Sequence, residues 1–330
     1  MTAGTRPAGG VRAATMRSAT ILGAGEVRID EVPLPAPGPG EVRLVVEGCG
    51  VCGSDLPVWE GREWFDYPRE PGAPGHEAWG AIDALGPGVD GLELGDRVAA
   101  LTYHGYAEYD LAAADAVVAL PDALAGRAFP GEPLGCAANV FERAGIVAGD
   151  TVAVIGTGFL GSLVAGLAAA RGAWVLAISR RATSREAAAA MGAGALVELD
   201  EHTIERVQEL TGGALCDVVV EAAGSQAALD LCGPLARVRG RLVIAGFHQD
   251  GPRTVDLQLW NWRGLDVVNA HERDPARYLS GIRRAVAAVT AGELDPDPLL
   301  THHFDLEHLE AAFCALRERP AGFVKAVVVP

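Results

Sequence analysis

The sequence predicts an α/β protein of two units, a mostly-β unit followed by a doubly wound parallel sheet. Residues 17–125 carry short alternating runs such as EVRLVVEGCG and DRVAALTYHGYAEY, punctuated by Gly and Pro, which is the pattern of strands joined by tight turns. From about Pro133 the texture changes: apolar strands (TVAVIG, WVLAIS, CDVVVEAAG, RLVIAGF) alternate with Ala-rich helical stretches (SLVAGLAAARG, SREAAAAMGA), as crossovers between parallel strands require. The length, 330 residues, exceeds the roughly 100–200 that one hydrophobic core organises.

Each segment then takes its place. Residues 1–16 are small and polar, lack the apolar stretch of a secretory signal, and read as a flexible tail, with Met16 as a candidate start. Residues 17–132 form the β unit and 133–270 the parallel-sheet unit. After VVNA at 267–270 the chain reads as helix, loop, helix and a last strand, FVKAVVV, and 271–330 is expected to return to the first unit.

Composition narrows the function. With 27 basic against 43 acidic residues the formal charge is -16, which repels phosphate backbones and argues against nucleic acid as a partner. No window has the ~18 uninterrupted apolar residues of a membrane span. The six cysteines are scattered, mostly in apolar surroundings suited to buried thiols, and predict a reducing, cytoplasmic address.

Gly156-Thr157-Gly158-Phe159-Leu160-Gly161 directly follows a strand pattern and opens a helical one, the context in which GxGxxG means a dinucleotide site. The first glycine permits a tight turn, the second a close backbone approach to pyrophosphate, and the third helix-on-strand packing. About 20 residues on, where NAD sites carry an acidic residue for the ribose, this chain has Ser179-Arg180-Arg181. Arginine binds phosphate bidentately, so the triplet predicts NADP, with NAD possible.

In the β unit, GCGVCGSD holds Cys49, Cys52, Ser54 and Asp55, and Gly75-His76-Glu77 follows. Thiolate, imidazole and carboxylate are the ligand types of a catalytic zinc site with one open position. Cys49 and Cys52 also make a C-x-x-C, so a redox dithiol or half of a zinc ribbon is an alternative; no second pair is present to complete a ribbon.

Taken in order, GVCGSD, GHEAWGAIDALGPGV, GDRVA, GYAEY, EPLGCAANV and VAVIGTGFLG resemble the zinc-containing medium-chain dehydrogenase family, over nearly the whole chain from about residue 17. The resemblance implies a GroES-like catalytic domain and a Rossmann domain that move a hydride between a nicotinamide cofactor and an alcohol or carbonyl. It implies Cys52 and His76 as zinc ligands, Glu77 as ligand or close neighbour, and Glu132 as a further ligand, with Cys136 an alternative four residues on. Asp55 matches a carboxylate that orients the ligand histidine, and Lys325 aligns loosely with a basic residue that reaches the cofactor pyrophosphate, a surface lysine on the last strand being the alternative. Ser54, next to the ligand cysteine, is the candidate first proton acceptor or else a turn-forming serine.

Two departures matter. The four-cysteine lobe of a structural zinc is missing between Asp96 and Pro121, so one zinc per chain is expected. A proton-relay histidine common in the family is replaced by Pro57. The lost lobe and the glutamate of EPLG are more similar to polyol, sugar and threonine dehydrogenases, which implies a hydroxyl-rich or amino-bearing secondary alcohol. Trp59, Trp64 and Tyr103 fall in segments that border the substrate cleft in relatives. The resemblance also implies a homodimer or homotetramer, with 252–270, including Trp260 and Trp262, at the contact. A zinc-free reductase of the same fold and a non-catalytic dinucleotide-binding protein are the competing readings.

Overall fold

The structure, a computed structural model, describes residues 14–330. Most of the expected tail lies outside the described residues. Its last three positions do not: Ala14 is exposed, and Thr15 and Met16 already belong to β1 (Thr15–Gly23), where Met16 is buried and pairs with Val32 of β2 (Glu26–Pro33).

The first unit is built on β3 (Glu41–Gly50), which pairs antiparallel with β4 (Glu77–Leu85) after the short helix α1 (Leu56–Trp59). Val42, Leu44 and Val46 of β3 point inward while Arg43 and Val45 face away, the period-two alternation of a strand with one buried face. Arg43 holds Asp83 of β4 with two bonds of 2.9 and 2.8 Å. Next come β5 (Arg97–Ala100), β6 (Tyr109–Ala113), which pairs with β3, and β7 (Val117–Ala119) on β5.

The helix α2 (Gly131–Ala144) leads into the second unit, so a boundary at 132/133 would cut a helix. Here β8 (Thr151–Ile155), α3 (Phe159–Ala170), β9 (Trp174–Ser179), α4 (Ala182–Ala190), β10 (Ala195–Glu198), α5 (Thr203–Leu210), β11 (Cys216–Glu221), α6 (Gln226–Leu235), β12 (Ala236–Ile244), α7 (Leu257–Arg263) and β13 (Asp266–Asn269) alternate in sequence. The strands form one parallel sheet in the order β10-β9-β8-β11-β12-β13. Its direction of winding reverses between β8 and β11, the position where such sheets open a crevice for a ligand.

Burial on both faces explains the near-continuous apolar strands. In β8, Val152 and Val154 pack with α2 and α3, while Ala153 and Ile155 pack on the opposite side with Val207, Leu229 and Leu235 of α5 and α6.

The remaining chain crosses back. The helix α8 (Pro275–Thr290) packs on α2; β14 (Leu300–Asp305), α9 (Leu309–Glu318) and β15 (Lys325–Val329) complete the first sheet, whose order is β14-β15-β3-β4-β5-β7. The strand β15 lies antiparallel to β3, with Val327 opposite Gly50 and Val328 opposite Cys49. No helix among the described residues is long and apolar enough to cross a membrane.

Candidate active site

A single cleft is lined from the first unit by Cys52, Ser54 and His76, from α2 by Glu132 and Cys136, and from the strand ends of the second unit by Gly246 and His271. Its metal-type donors converge because β3 and β4 are neighbours. Cys52 follows the end of β3 and caps the 3-10 turn Gly53–Asp55; His76 and Glu77 stand where β4 begins, with Glu77 opposite Gly50. One donor atom from each of Cys52, His76 and Glu77 lies within 4.8 Å of the others. Gly50 has to be glycine here, since a Cβ would sit 1.9 Å from Glu77 Oε2. Pro57 has a local reason as well: it occupies the first turn of α1, where a missing N–H costs nothing.

Asp55 anchors the cluster from behind. It is buried, Oδ2 accepts from the Tyr106 hydroxyl at 2.6 Å and from the Cys52 amide at 3.0 Å, and Oδ1 lies 3.2 Å from His76 Nδ1. Pro74 O is 2.8 Å from the same nitrogen. Two acceptors at Nδ1 place the proton there and leave Nε2 for the cluster, the orientation that a metal-ligating histidine needs. Burial disfavours a charged imidazole, but Asp55 and Cys52 outweigh it and hold His76 well above the usual histidine range. Burial, reinforced by Asp55, likewise pushes the Tyr106 phenol well up, so Tyr106 remains a donor.

Glu132, in the first turn of α2, lines the same cleft outside the tight trio. Burial raises its pKa against the pull of His76, and its Oε1 accepts the Cys136 thiol at 3.1 Å. Burial, with Glu132 beside it, drives that thiol well above its ordinary range, so Cys136 is a donor to Glu132 rather than a thiolate. Ser54 Oγ lies 3.2 Å from Cys52 Sγ and opens to the cleft.

Lys325, on the last strand, is not a surface lysine. The ammonium is buried, 2.7 Å from Glu77 Oε1 and 2.6 Å from Oε2, with hydrogen-bonding geometry only to Oε1, and it lies 5.0 Å over the Phe159 ring. Burial lowers its pKa but Glu77 and Cys52 raise it further, so it stays charged. Glu77 Oε2 is left buried without a hydrogen-bond partner, and a thiolate, an imidazole and an orphaned carboxylate oxygen suit a zinc ion.

The glycine turn lies across the cleft. Gly156 has φ +92°, and a Cβ there would meet the Ala223 amide at 2.7 Å; a Cβ on Gly161 would meet Gly156 O at 2.1 Å. At Gly158, which precedes α3, a Cβ would meet nothing within 4 Å. Open space beside a helix N-terminus with free amides fits a pyrophosphate. Leu160 lines the cleft, and Ser179 is buried at the end of β9, its carbonyl bonded to Arg185. Arg180 is exposed, while Arg181 reaches across the chain to Phe323 O at 2.9 Å.

Several aromatic expectations separate. Tyr103 stacks on His76 at 6.5 Å and Trp64 lines the cleft, but Trp59 is buried against Phe313 and belongs to the core. Trp260 is buried and Trp262 is 86% exposed. Phe247 and His271 stack at 5.6 Å on the cleft wall, and each follows a strand end; Phe247 had no signal in the sequence, which a known strand order would have supplied.

Comparisons with known proteins point the same way. Residues 38–142 match the alcohol dehydrogenase GroES-like domain, and residues 160–283 match the zinc-binding dehydrogenase model. The chain is 30% identical to an L-threonine 3-dehydrogenase of Pyrococcus furiosus, over 89% of this chain and 93% of that one. It is 27% identical to a sorbitol dehydrogenase of Halalkalibacterium halodurans, over 94% and 98%. Among solved structures, one assigned as a zinc-binding dehydrogenase of Sinorhizobium meliloti 1021, bound to NADP, superposes with a TM-score of 0.85 at 26% identity, covering 96% of this chain and 100% of that one.

Proposed function

Since the chain belongs to the zinc-containing medium-chain dehydrogenase family, an alcohol dehydrogenase acting on CH–OH donors with a GroES-like and a Rossmann domain, we propose that it is zinc-dependent and uses NADP(H). Its substrate is a secondary alcohol or the matching ketone, of the polyol, cyclitol or amino-alcohol kind. The observation that carries the reading is the convergence of Cys52, His76 and Glu77 at a cleft lined by Cys52 and His76 and also by Leu160 of the glycine motif. The threonine and sorbitol dehydrogenases among the relatives support the substrate class.

Cys52, His76 and Glu77 would hold one zinc per chain, with Glu132 of α2 completing the set. Bound there, the ion would supply Lewis acidity to the substrate oxygen, lowering the pKa of an alcohol. Asp55 positions His76 through Nδ1. Ser54 Oγ, next to Cys52 and open to the cleft, takes the substrate hydroxyl proton and passes it directly to cleft water, because Pro57 offers no onward acceptor. Phe159, Leu160 and the three motif glycines would hold the dinucleotide, with Ser179, Arg180 and Arg181 at its ribose; NAD is the weaker alternative. Trp64, Tyr103 and Phe247 shield the reacting carbon from bulk water.

The unpaired edge of β13, with exposed Trp262 and Val267 nearby, is the surface on which a homodimer or homotetramer would form. All six cysteines are free thiols, which suits a cytoplasmic location.

Purified protein incubated with NADP or NAD and a panel of polyols, cyclitols, amino alcohols and simple alcohols tests the proposal by reduced-nicotinamide absorbance. Turnover that is faster with NADP and lost on chelation is expected. Oxidation of simple primary alcohols alone would remove the substrate class, and turnover indifferent to chelators would favour the zinc-free alternative.

A further inference from the structure

Three arginines stand where the two units meet. Arg180 and Arg181 follow β9 of the parallel-sheet unit; Arg319 follows α9, more than a hundred residues later, and lines the cleft. Two contacts fix the segments together: Arg181 Nη1 donates to Phe323 O at 2.9 Å, and the Gly322 amide to Thr183 Oγ1 at 3.4 Å.

Among the described residues none of the three arginines has a carboxylate within ion-pair distance, in a chain with 43 acidic residues and a charge of -16. Desolvation, Arg319 and Arg180 all push Arg181 below the ordinary guanidinium range, and desolvation and Arg180 do the same to Arg319. Unrelieved repulsion between cations is costly unless an anion enters. Arg319 also holds the left-handed conformation, φ +50°, as the residue that ends α9, a position where glycine is ordinarily preferred. An arginine kept there gives up backbone ease for the position of its side chain.

We propose that Arg319 is the third arm of a phosphate clamp with Arg180 and Arg181, so that the catalytic unit itself grips the phosphomonoester on the adenosine ribose of NADP. The inference rests on the NADP reading above and adds a specific residue to it. The dianion would neutralise the cluster and accept bidentate bonds from forked donors on two sides. Because the arms come from different units, the 2'-phosphate would also tie the units together around the cofactor.

The test is the binding of 2',5'-ADP and 5'-AMP, followed by calorimetry without substrate or turnover, to wild type, Arg319→Gly and Arg319→Lys. The glycine variant keeps the left-handed backbone, so its fold should persist, and the melting temperature checks this. Wild type should bind 2',5'-ADP more tightly. Arg319→Gly should lose about tenfold or more of that affinity, as for one charge-assisted pair, with 5'-AMP unchanged. Arg319→Lys, which keeps the charge without the fork, should fall between. If wild type prefers 2',5'-ADP and Arg319→Gly retains the whole preference, the clamp is wrong and the NADP reading stands. Equal binding of the two nucleotides by wild type removes the NADP reading, and the clamp with it.

Discussion

The two ends of the cleft treat charge in opposite ways. Around Cys52 and His76 the ionic groups are buried and matched: Asp55 faces His76 and accepts from Tyr106, and Glu77 faces Lys325. Around Arg319, Arg180 and Arg181 sit with no carboxylate among the described residues to balance them. A matched buried network is part of the fold, because removing one partner strands the other in a low dielectric. An unmatched cluster is held by the rest of the fold and answers to a ligand. The same substitution, an ion lost to a neutral side chain, should therefore register as stability at one end and as affinity at the other.

The largest effect is expected at the donors themselves. Cys52→Ser and His76→Ala should abolish metal retention and turnover while NADPH binding, read by its fluorescence, persists. Loss of NADPH binding in the same variants would mean that the two ends are not separable.

Lys325→Met comes next. It leaves Glu77 buried and unpaired and should cost about 3–5 kcal/mol in a denaturant titration. Arg180→Ala, measured alongside, should stay within about 0.5 kcal/mol of wild type. Equal costs would erase the contrast between the two ends.

Asp55→Asn keeps the shape but removes the charge behind His76, and a loss of about 10–100-fold in zinc affinity is expected from competition with a chelating dye. Unchanged affinity would reduce Asp55 to a packing role. The smallest effect belongs to Arg180→Ala as a cofactor variant: the preference for NADPH over NADH should fall about tenfold, with stability untouched.

Local chemistry was legible in the sequence and long-range pairing was not. The turn at Gly156–Gly161 follows from glycine spacing between a strand and a helix, while ligand types alone left Cys49 and Cys52 open and the family resemblance of GVCGSD and GHE singled out Cys52, His76 and Asp55. Lys325 shows the limit: its partner Glu77 is 248 residues away, and the contact exists because β15 pairs with β3, which pairs with β4. Periodicity identifies FVKAVVV as a strand without saying which edge it joins. Trp59 stood open between cleft and core for a related reason, since the core of the first unit that it joins is completed by Phe313 from the end of the chain. Arg319 gave no signal, because an arginine after a helix is an ordinary surface residue until the fold sets it beside Arg180 and Arg181.

The central claim is that the convergence of Cys52, His76 and Glu77 is a working zinc site. Metal content and NADP-linked oxidation of a secondary alcohol, measured on the same preparation before chelation, after it and after zinc is restored, address it most directly. One zinc per chain, activity lost with the metal and regained with zinc is the predicted result. Full activity in protein that contains no zinc would contradict the account.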